Sequence, residues 1–468
     1  MILTGLTVAA TIGSLIYAIS VIGITPAQLA TFLDMHAGGH DRPISGIIRS
    51  SSSAFTRLDR MNLAPGVMPP PWAGADVSRD VPRPAGPLYL VNTTETLRAA
   101  IESARPGDVI ELLPGRYDID RTIPVARAGL PAFPIIVRAE SLGTVIMRAS
   151  TTEAFKVDAP NWVFENLVMQ GVCADDGDCD HAFHIVGAAT NAIFRNLTLE
   201  DFNAHFKINA EHGDIPDTGR IEHVTLLDSH PRQTPVPVTP IDLDVASSWR
   251  VTDNFIADFA KAGGDRTSYG GYAKAAGSGN LFAGNVVFCE WKLRALPGQR
   301  IGLSFGGGGS DRRIRRDHDR LGLEQSDSVM RDNLIVACSD DGIYLNRSAG
   351  TIIAHNTLID TAGIDVRFPD SQATVNANLV DGPIRGRDGG SVLDAGNLSS
   401  AILLLFAGQH PVRGLFADPA HFDLRWKAIP PNAVATGALR YPSGVMRPVH
   451  EPVRPGAFDD FSAYLAAQ

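Results

Sequence analysis

Short apolar runs, each closed by a polar corner, recur through most of the chain. An asparagine returns at that corner: Asn166 (VFENLVM), Asn196 (IFRNLTL), Asn254 (VTDNFIA), Asn285 (FAGNVVF), Asn333 (MRDNLIV), Asn356 (IAHNTLI), Asn378 (VNANLVD) and Asn397. In RIEHVTLLD, His223 stands where another would fall. The last four asparagines lie 23, 22 and 19 residues apart. A short repeat of this kind, with longer intervals carrying loops, is that of a solenoid whose coils bury their apolar faces on one another. Asparagines stacked at one corner are expected to satisfy each other by hydrogen bonds, a structural rather than a catalytic role. Ahead of the repeat, Leu97, Ala100, Ile101 and Ala104 fall at helical spacing and predict a short amphipathic helix over Thr94–Ala104. After Leu398 the repeat fades into a proline-bearing tail. The expected organisation is therefore a membrane segment over 1–25, a Pro/Gly-rich linker over 26–87, a parallel β-solenoid over 88–410 and a tail packed on it over 411–468.

Strand alternation predicts which side chains face out. With Phe183 and Ile185, Phe206 and Ile208, Ile241 and Leu243, Leu303 and Phe305, Ile343 and Leu345, and Ile364 and Val366 inward, one outer column holds His184, Lys207, Asp242, Tyr272, Ser304, Tyr344, Asp365 and Arg385. The next holds Asn209, Asp244, Lys274, Gly306, Asn346, Arg367 and Arg387. Strands stacked roughly 4.8 Å apart turn these into one polar stripe. Its content of Lys, Arg, Tyr, His and Asp marks it as a candidate binding groove.

The first charged side chain comes only after Thr25, and Ile2–Gly23 is long enough to span a bilayer, so an uncleaved anchor is expected. Asn62–Pro87 is rich in proline and glycine and reads as a linker or extended arm. A net charge of −10 disfavours nucleic-acid binding. Glycine at 45 residues with only 7% aromatics fits β-structure with many corners. Cys173 and Cys179 bracket a short acidic run and are expected to form a local disulfide, placing the domain in an oxidising, envelope-facing (periplasmic) compartment. Cys289 and Cys338 each follow an apolar run and read as buried small hydrophobes. No CxxC pair suggests zinc.

The run from Arg105 to Met147 (RPGDVIELLPGRYDIDRT…PAFPIIVRAESLGTVIM) resembles the opening of right-handed parallel β-helix proteins of the pectate lyase-like superfamily, in particular the alginate lyase and chondroitinase B family. That resemblance implies an all-β, right-handed parallel β-helix, a helix capping the first coil, a tail laid along the outside, and a polysaccharide lyase acting by β-elimination on an acidic, uronate-containing polysaccharide. Such a reaction needs a cation for the C6 carboxylate, a base for the C5 proton and an acid for the leaving oxygen. The segment Tyr272 to Asn280, followed by Asn285 and Gly302-Leu303-Ser304, is similar to the family's Lys-Ser-x-x-Asn region, which makes Lys274 the expected base. Tyr344 is expected nearby, with Arg367 or Arg347 standing in for the family's arginine and Arg367 also lowering the lysine's pKa. His184, Lys207, Asn209, Asp242, Asp244, Tyr272, Asn346, Asp365 and Arg387 are the expected substrate contacts.

The departures are specific. Where the family binds calcium, this chain has Thr267, Ser268, Tyr269, Gly270 and Gly271, with Asp265 the nearest carboxylate, so no cofactor is expected. Gly302 to Gly309 lacks the family arginine. A second enzyme reading starts from Asp340-Asp341-Gly342, which looks like the paired carboxylates of the polygalacturonase family and implies an inverting hydrolase, with Asp242 or Asp244 completing the set. Neither a Gly-His-Gly nor an Arg-Ile-Lys run accompanies it. The third reading is a membrane-tethered, non-catalytic polysaccharide-binding solenoid. Gly306–Gly309 lacks the Gly-Lys-Ser/Thr ending of a nucleotide loop, and the basic run Arg312 to Arg316 after it reads as an exposed flap that attracts an anionic polymer. The expected partners are the polysaccharide and a membrane, and the chain is expected to be a monomer.

Overall fold

The computed structural model describes residues 23–37, 42–79, 81, 84–307, 315–316, 322–430, 455–458 and 461. Three long parallel sheets of 12, 10 and 11 strands run side by side, and each successive coil adds one strand to each. One full coil runs from Ile193–Arg195 in the first sheet through Thr198–Glu200 in the third to Ala204–Asn209 in the second, and Arg220–Glu222 then pairs back onto the first. This is the parallel β-solenoid expected from the repeat, and it is consistent with the right-handed β-helix that the resemblance implied.

Parallel pairing in register stacks like side chains on like. Phe155, Phe183 and Phe206 form an internal column with centroids 5.3 and 5.6 Å apart, and Phe164 stacks on Phe194 at 5.5 Å. The column continues through Ile241, Leu303, Ile343 and Ile364, all fully buried. A helix over Thr94–Ser103, with Thr93 and Thr96 in a capping box, turns Leu97 and Ile101 onto the first coil.

The asparagine column is two ladders rather than one. Asn166 and Asn196 themselves occupy the left-handed corner (φ 58° and 51°) and bond to each other at 2.8 Å. His223 takes that same corner in the next coil (φ 54°). From Asp253 onward the left-handed position passes to Asp253, Gly284, Asp332, His355, Ala377 and Gly396, and the asparagine moves one residue inward. Asn254, Asn285, Asn333, Asn356, Asn378 and Asn397 then bond side chain to side chain at 2.8–2.9 Å. Val224 caps this second ladder by donating its N–H to Asn254.

Two helices, α1 (Pro26–His36) and α2 (Arg42–Asp59), stand where a linker was expected. Thr25 and Gln28 close a capping box on α1, with Pro26 in its first turn. Beyond α2 the chain does run as an extended arm, bonding to Asp253, Thr225 and Asn196 in turn. Leu63 and Val67 from this arm, with Phe416, Phe422, Phe458 and Phe461 from the tail, cover Phe255, Phe288 and Val336 on the outside of the third sheet. The expected membrane segment lies outside the described residues except for its last three. Among those described, no helix is long and apolar enough to cross a membrane.

Cys173 and Cys179 are disulfide-bonded, as their spacing suggested. Cys289 and Cys338 are also joined, correcting their reading as mere buried hydrophobes. They follow Val286–Phe288 and Leu334–Val336, which pair in neighbouring coils, so residues 49 apart in sequence meet with Cα atoms 4.8 Å apart. Of the expected exposed basic flap, Arg315 and Arg316 are described. Arg315 is a correction, being buried against Glu324 at 2.6 Å, whereas Arg316 is exposed and reaches Asp217 at 2.5 Å. Arg312 to Ile314 lie outside the described residues.

Candidate functional site

The second sheet carries the predicted stripe. Its register aligns Lys156, His184, Lys207, Asp242, Tyr272, Ser304, Tyr344, Asp365 and Arg385 in one column, and brings Asp244 beside Lys274, Asn346 beside Arg367 and Arg367 beside Arg387 in the next. The side chains do not form one site along it. They gather into two clusters.

The middle cluster spans three coils. Lys207 Nζ sits 2.9 Å from Asp242 and 2.7 Å from Asp244. Burial alone would lower this ammonium, but the two carboxylates outweigh it and hold its pKa above the ordinary value. Asp242 is drawn down by Lys207 and Lys274 against its burial, whereas burial and the neighbouring Asp242 push Asp244 up. Tyr272 bonds to Asp242, and burial followed by that carboxylate raises its phenol well above the usual range, so it keeps its proton. Lys274 lies over the Tyr272 ring, 4.5 Å from its centroid, and its one carboxylate partner among the described residues, Asp244, is 3.5 Å away. Ser304, one coil on, is buried and donates back to the Gly306 carbonyl, which leaves it no role in the groove.

The far cluster lies under α1. A cavity of about 460 Å³ is walled by Gln28, Leu29 and Phe32 of the helix and by Asp340, Asp341, Tyr344, Arg367, Arg385 and Arg387 of the solenoid. The Gln28 amide donates to Asp340 at 2.5 Å and to Asp341 at 3.2 Å, and Gln299 donates to Asp340 at 2.8 Å. Burial raises both carboxyls, Asp340 against the Gln28 bond and Asp341 well above the ordinary value with Asp340 adding to it. Tyr344 bonds to Arg367 and, at 3.3 Å, to Asn346. Arg387 holds Asp365 at 2.6 Å. Arg385 reaches Asp341 and Asp365 only at 3.3 and 3.4 Å, and its Nε and Nη1 are buried without a partner.

The expected catalytic set is thus divided. Lys274 pairs in register with Gly306 and Asn346 before Arg367 is reached, so three strand spacings, roughly 14 Å, separate the two. Arg367 instead pairs with Asp388 at 2.6 Å and lies over Phe368, too far to depress the lysine. Arg347 sits on an exposed turn (φ 56°) beside Phe368, off the groove floor. Asp265, the nearest carboxylate to the family's calcium position, is taken by Lys261 at 2.8 Å. His184 and Asn209 bond to each other at 2.7 Å at the other end of the stripe. Sequence reasoning missed Gln28, Gln299 and Tyr269 around the cavity, and Glu153 and His181 beside His184. Gln28 approaches Asp340 across 312 residues of sequence, and no local pattern signals it.

No family model and no curated protein matches the chain. Among solved structures it is similar to an alginate lyase from Paenibacillus sp. str. FPU-7 (TM-score 0.41, 13% identity, covering 67% of this chain and 97% of that one). It is also similar to the pectate lyase Pel9A (TM-score 0.45, 11% identity, 67% and 80% covered) and to a rhamnogalacturonan lyase (TM-score 0.40, 15% identity, 67% and 87% covered). These likenesses concern the coil, and the chemistry has to be argued from the groove's own side chains.

Proposed function

We propose that the chain is a polysaccharide lyase that binds an acidic, uronate-containing polysaccharide along the outer face of the second sheet and cleaves it by β-elimination. The observation that carries this reading is the difference between the two groove lysines. Lys207 is fixed by two carboxylates at 2.9 and 2.7 Å, while among the described residues Lys274 has one carboxylate oxygen, at 3.5 Å, and is held less tightly. In this reading Lys274 first passes its own proton to Asp244, whose affinity for it is raised by burial and by Asp242, and then takes the C5 proton as a neutral amine. Lys207, which shares Asp244 with it, faces the C6 carboxylate, and the protonated phenol of Tyr272 is the acid of the set. Arg367, Arg385 and Arg387 bind carboxylates of sugars farther along the polymer. Two disulfides support an oxidising, envelope-facing location, and the apolar stretch of residues 1–25 supports a membrane anchor.

One observation favours a second reading. Asp340 and Asp341 are buried carboxyls raised above their ordinary range in a cavity, the environment that keeps a general acid protonated at neutral pH. An inverting hydrolase centred there is the alternative. The experiment is to incubate the protein with a panel of acidic polysaccharides, following both the absorbance of unsaturated uronates and the release of reducing ends. A rise in absorbance lost in Lys274→Ala supports elimination. Reducing ends without absorbance, lost in Asp341→Asn, support hydrolysis. Binding with neither signal leaves a non-catalytic solenoid.

A further inference from the structure

At the N-terminal end of the stripe, Glu153, His181 and His184 bring one ligand atom each to within 4.8 Å of one another, the metal-type cluster found among the described residues. Register explains the meeting. His181 and His184 lie on one strand, and Glu153 is the partner of His181 on the strand before it. His184 Nε2 lies 2.7 Å from the side-chain oxygen of Asn209, which accepts a proton from it. Nδ1 lies 2.7 Å from the Glu153 carboxylate, a contact that needs a proton between them, and an ion bound by both groups would displace that proton. His181 turns Nε2 toward Asp180 at 3.4 Å, while its Nδ1 is buried with no hydrogen-bond partner. Two imidazole nitrogens and a carboxylate, each imidazole steadied through its other nitrogen by an amide oxygen or a carboxylate, are the donor set and outer shell of a zinc-type site.

We propose that Glu153, His181 and His184 bind a divalent first-row transition ion of the zinc type, with a fourth position open toward the groove. All three side chains are only partly buried, so water or an oxygen of a bound ligand has access to that position. Lys207 follows His184 in the column, so the ion stands next to the middle cluster and extends the groove's affinity for anions by one coil. The site is independent of the elimination chemistry and stands whether or not Lys274 is a base.

The test uses the full chain stripped of metal. Zinc is titrated by calorimetry, and cobalt(II) by its visible absorption, which reports nitrogen and oxygen ligation directly. One equivalent is expected to bind, with affinity falling at least tenfold in His184→Gln and His181→Gln and about 10- to 100-fold in Asn209→Ala, whose side chain never touches the ion. Thermal melts with and without zinc accompany each variant, and the wild-type melt is expected to rise with zinc. Where a variant does not fold, the wild-type cobalt spectrum decides the matter alone. Absence of a stoichiometric site in the wild type, a cobalt spectrum without nitrogen ligation, or equal binding by His184→Gln and wild type would each overturn the proposal.

Discussion

The middle and the far end of the second sheet are built on the same lattice, yet they treat their charges in opposite ways. In the middle, Lys207 and Lys274 lie among the buried Asp242, Asp244 and Tyr272, so cations and anions from neighbouring coils neutralise one another directly. At the far end, Asp340 and Asp341 are covered by Gln28 from a helix more than 300 residues away in sequence, with arginines alongside at longer range. The repeat fixes where a side chain points, but what packs above it decides its protonation and its access. One column can therefore hold a carboxylate pair bridged by lysine and another roofed by a helix, four coils apart or fewer.

The largest expected effect separates the two regions by activity. Lys274→Ala is expected to reduce elimination about 100- to 10,000-fold, the range for loss of a general base, while Asp341→Asn changes the rate by no more than a few-fold. Product absorbance for both variants on the same polymer checks this, and the reverse order would move the chemistry to the roofed end. Next comes stability in the middle. Lys207→Met leaves Asp242 and Asp244 buried against each other with only the more distant Lys274, at a cost of about 3 kcal/mol, the lower end of the range for a broken buried pair, read as a lowered urea midpoint. The same change at an exposed lysine of the solenoid would cost little.

The roof itself is sensitive to pH. Asp59, at the end of α2, accepts the Ala27 N–H at the start of α1 at 2.8 Å. Burial, with Asp360 and Asp381 adding to it, raises the carboxyl from 3.8 to about 6 despite that hydrogen bond. The folded chain therefore holds a proton on Asp59 between about pH 4 and 6 that the unfolded chain has released. Stability from this group is fully present below that window and is lost as pH rises through it, by about 3 kcal/mol in all. Asp59→Asn is expected to remove this part of the slope. Asp253, also raised to about 6 by burial, retains its own part in both proteins. Urea unfolding at pH 4.5 and 7 for wild type and variant measures the difference, and parallel profiles would show that Asp59 carries none of it.

Much of the lattice was legible because it is periodic. Alternation around Phe183, Phe206, Ile241, Leu303, Ile343 and Ile364 placed every one of them inside and assigned both outer columns in register. What escaped was aperiodic. The one-residue shift of the asparagine ladder at His223 was hidden because His and Asp occupy the same left-handed corner as Asn, and sequence spacing does not reveal which residue turns inward. The pairing of Cys289 with Cys338 depended on loop lengths that put their corners in adjacent coils. The helices α1 and α2 fell in a stretch dominated by its later prolines, and α2 carries a serine run of poor helix formers that its packing against α1 overrides. Column membership, and with it the three strand spacings from Lys274 to Arg367, was therefore readable, while what packs over a column, as Gln28 packs over Asp340, was not.

The smallest expected effect belongs to the contact that makes the two regions differ. Gln28 does two things in α1: its backbone and side chain complete the capping box with Thr25, and its amide bonds Asp340 and Asp341. Gln28→Glu keeps a capping-box residue but sets a third carboxylate against two, whereas Gln28→Ala removes both roles and takes one of two donors from each aspartate oxygen, Asp340 keeping the Asp341 N–H and Asp341 keeping Arg385, at about 1–3 kcal/mol. Part of that loss returns if water enters the cavity, which places Gln28→Ala at the lower end of the range. Hydrogen exchange of the α1 amides is expected to quicken roughly tenfold in Gln28→Ala, with elimination at Lys274 unchanged within about twofold. Loss of elimination together with faster exchange would mean that the roofed end and the middle act as one site.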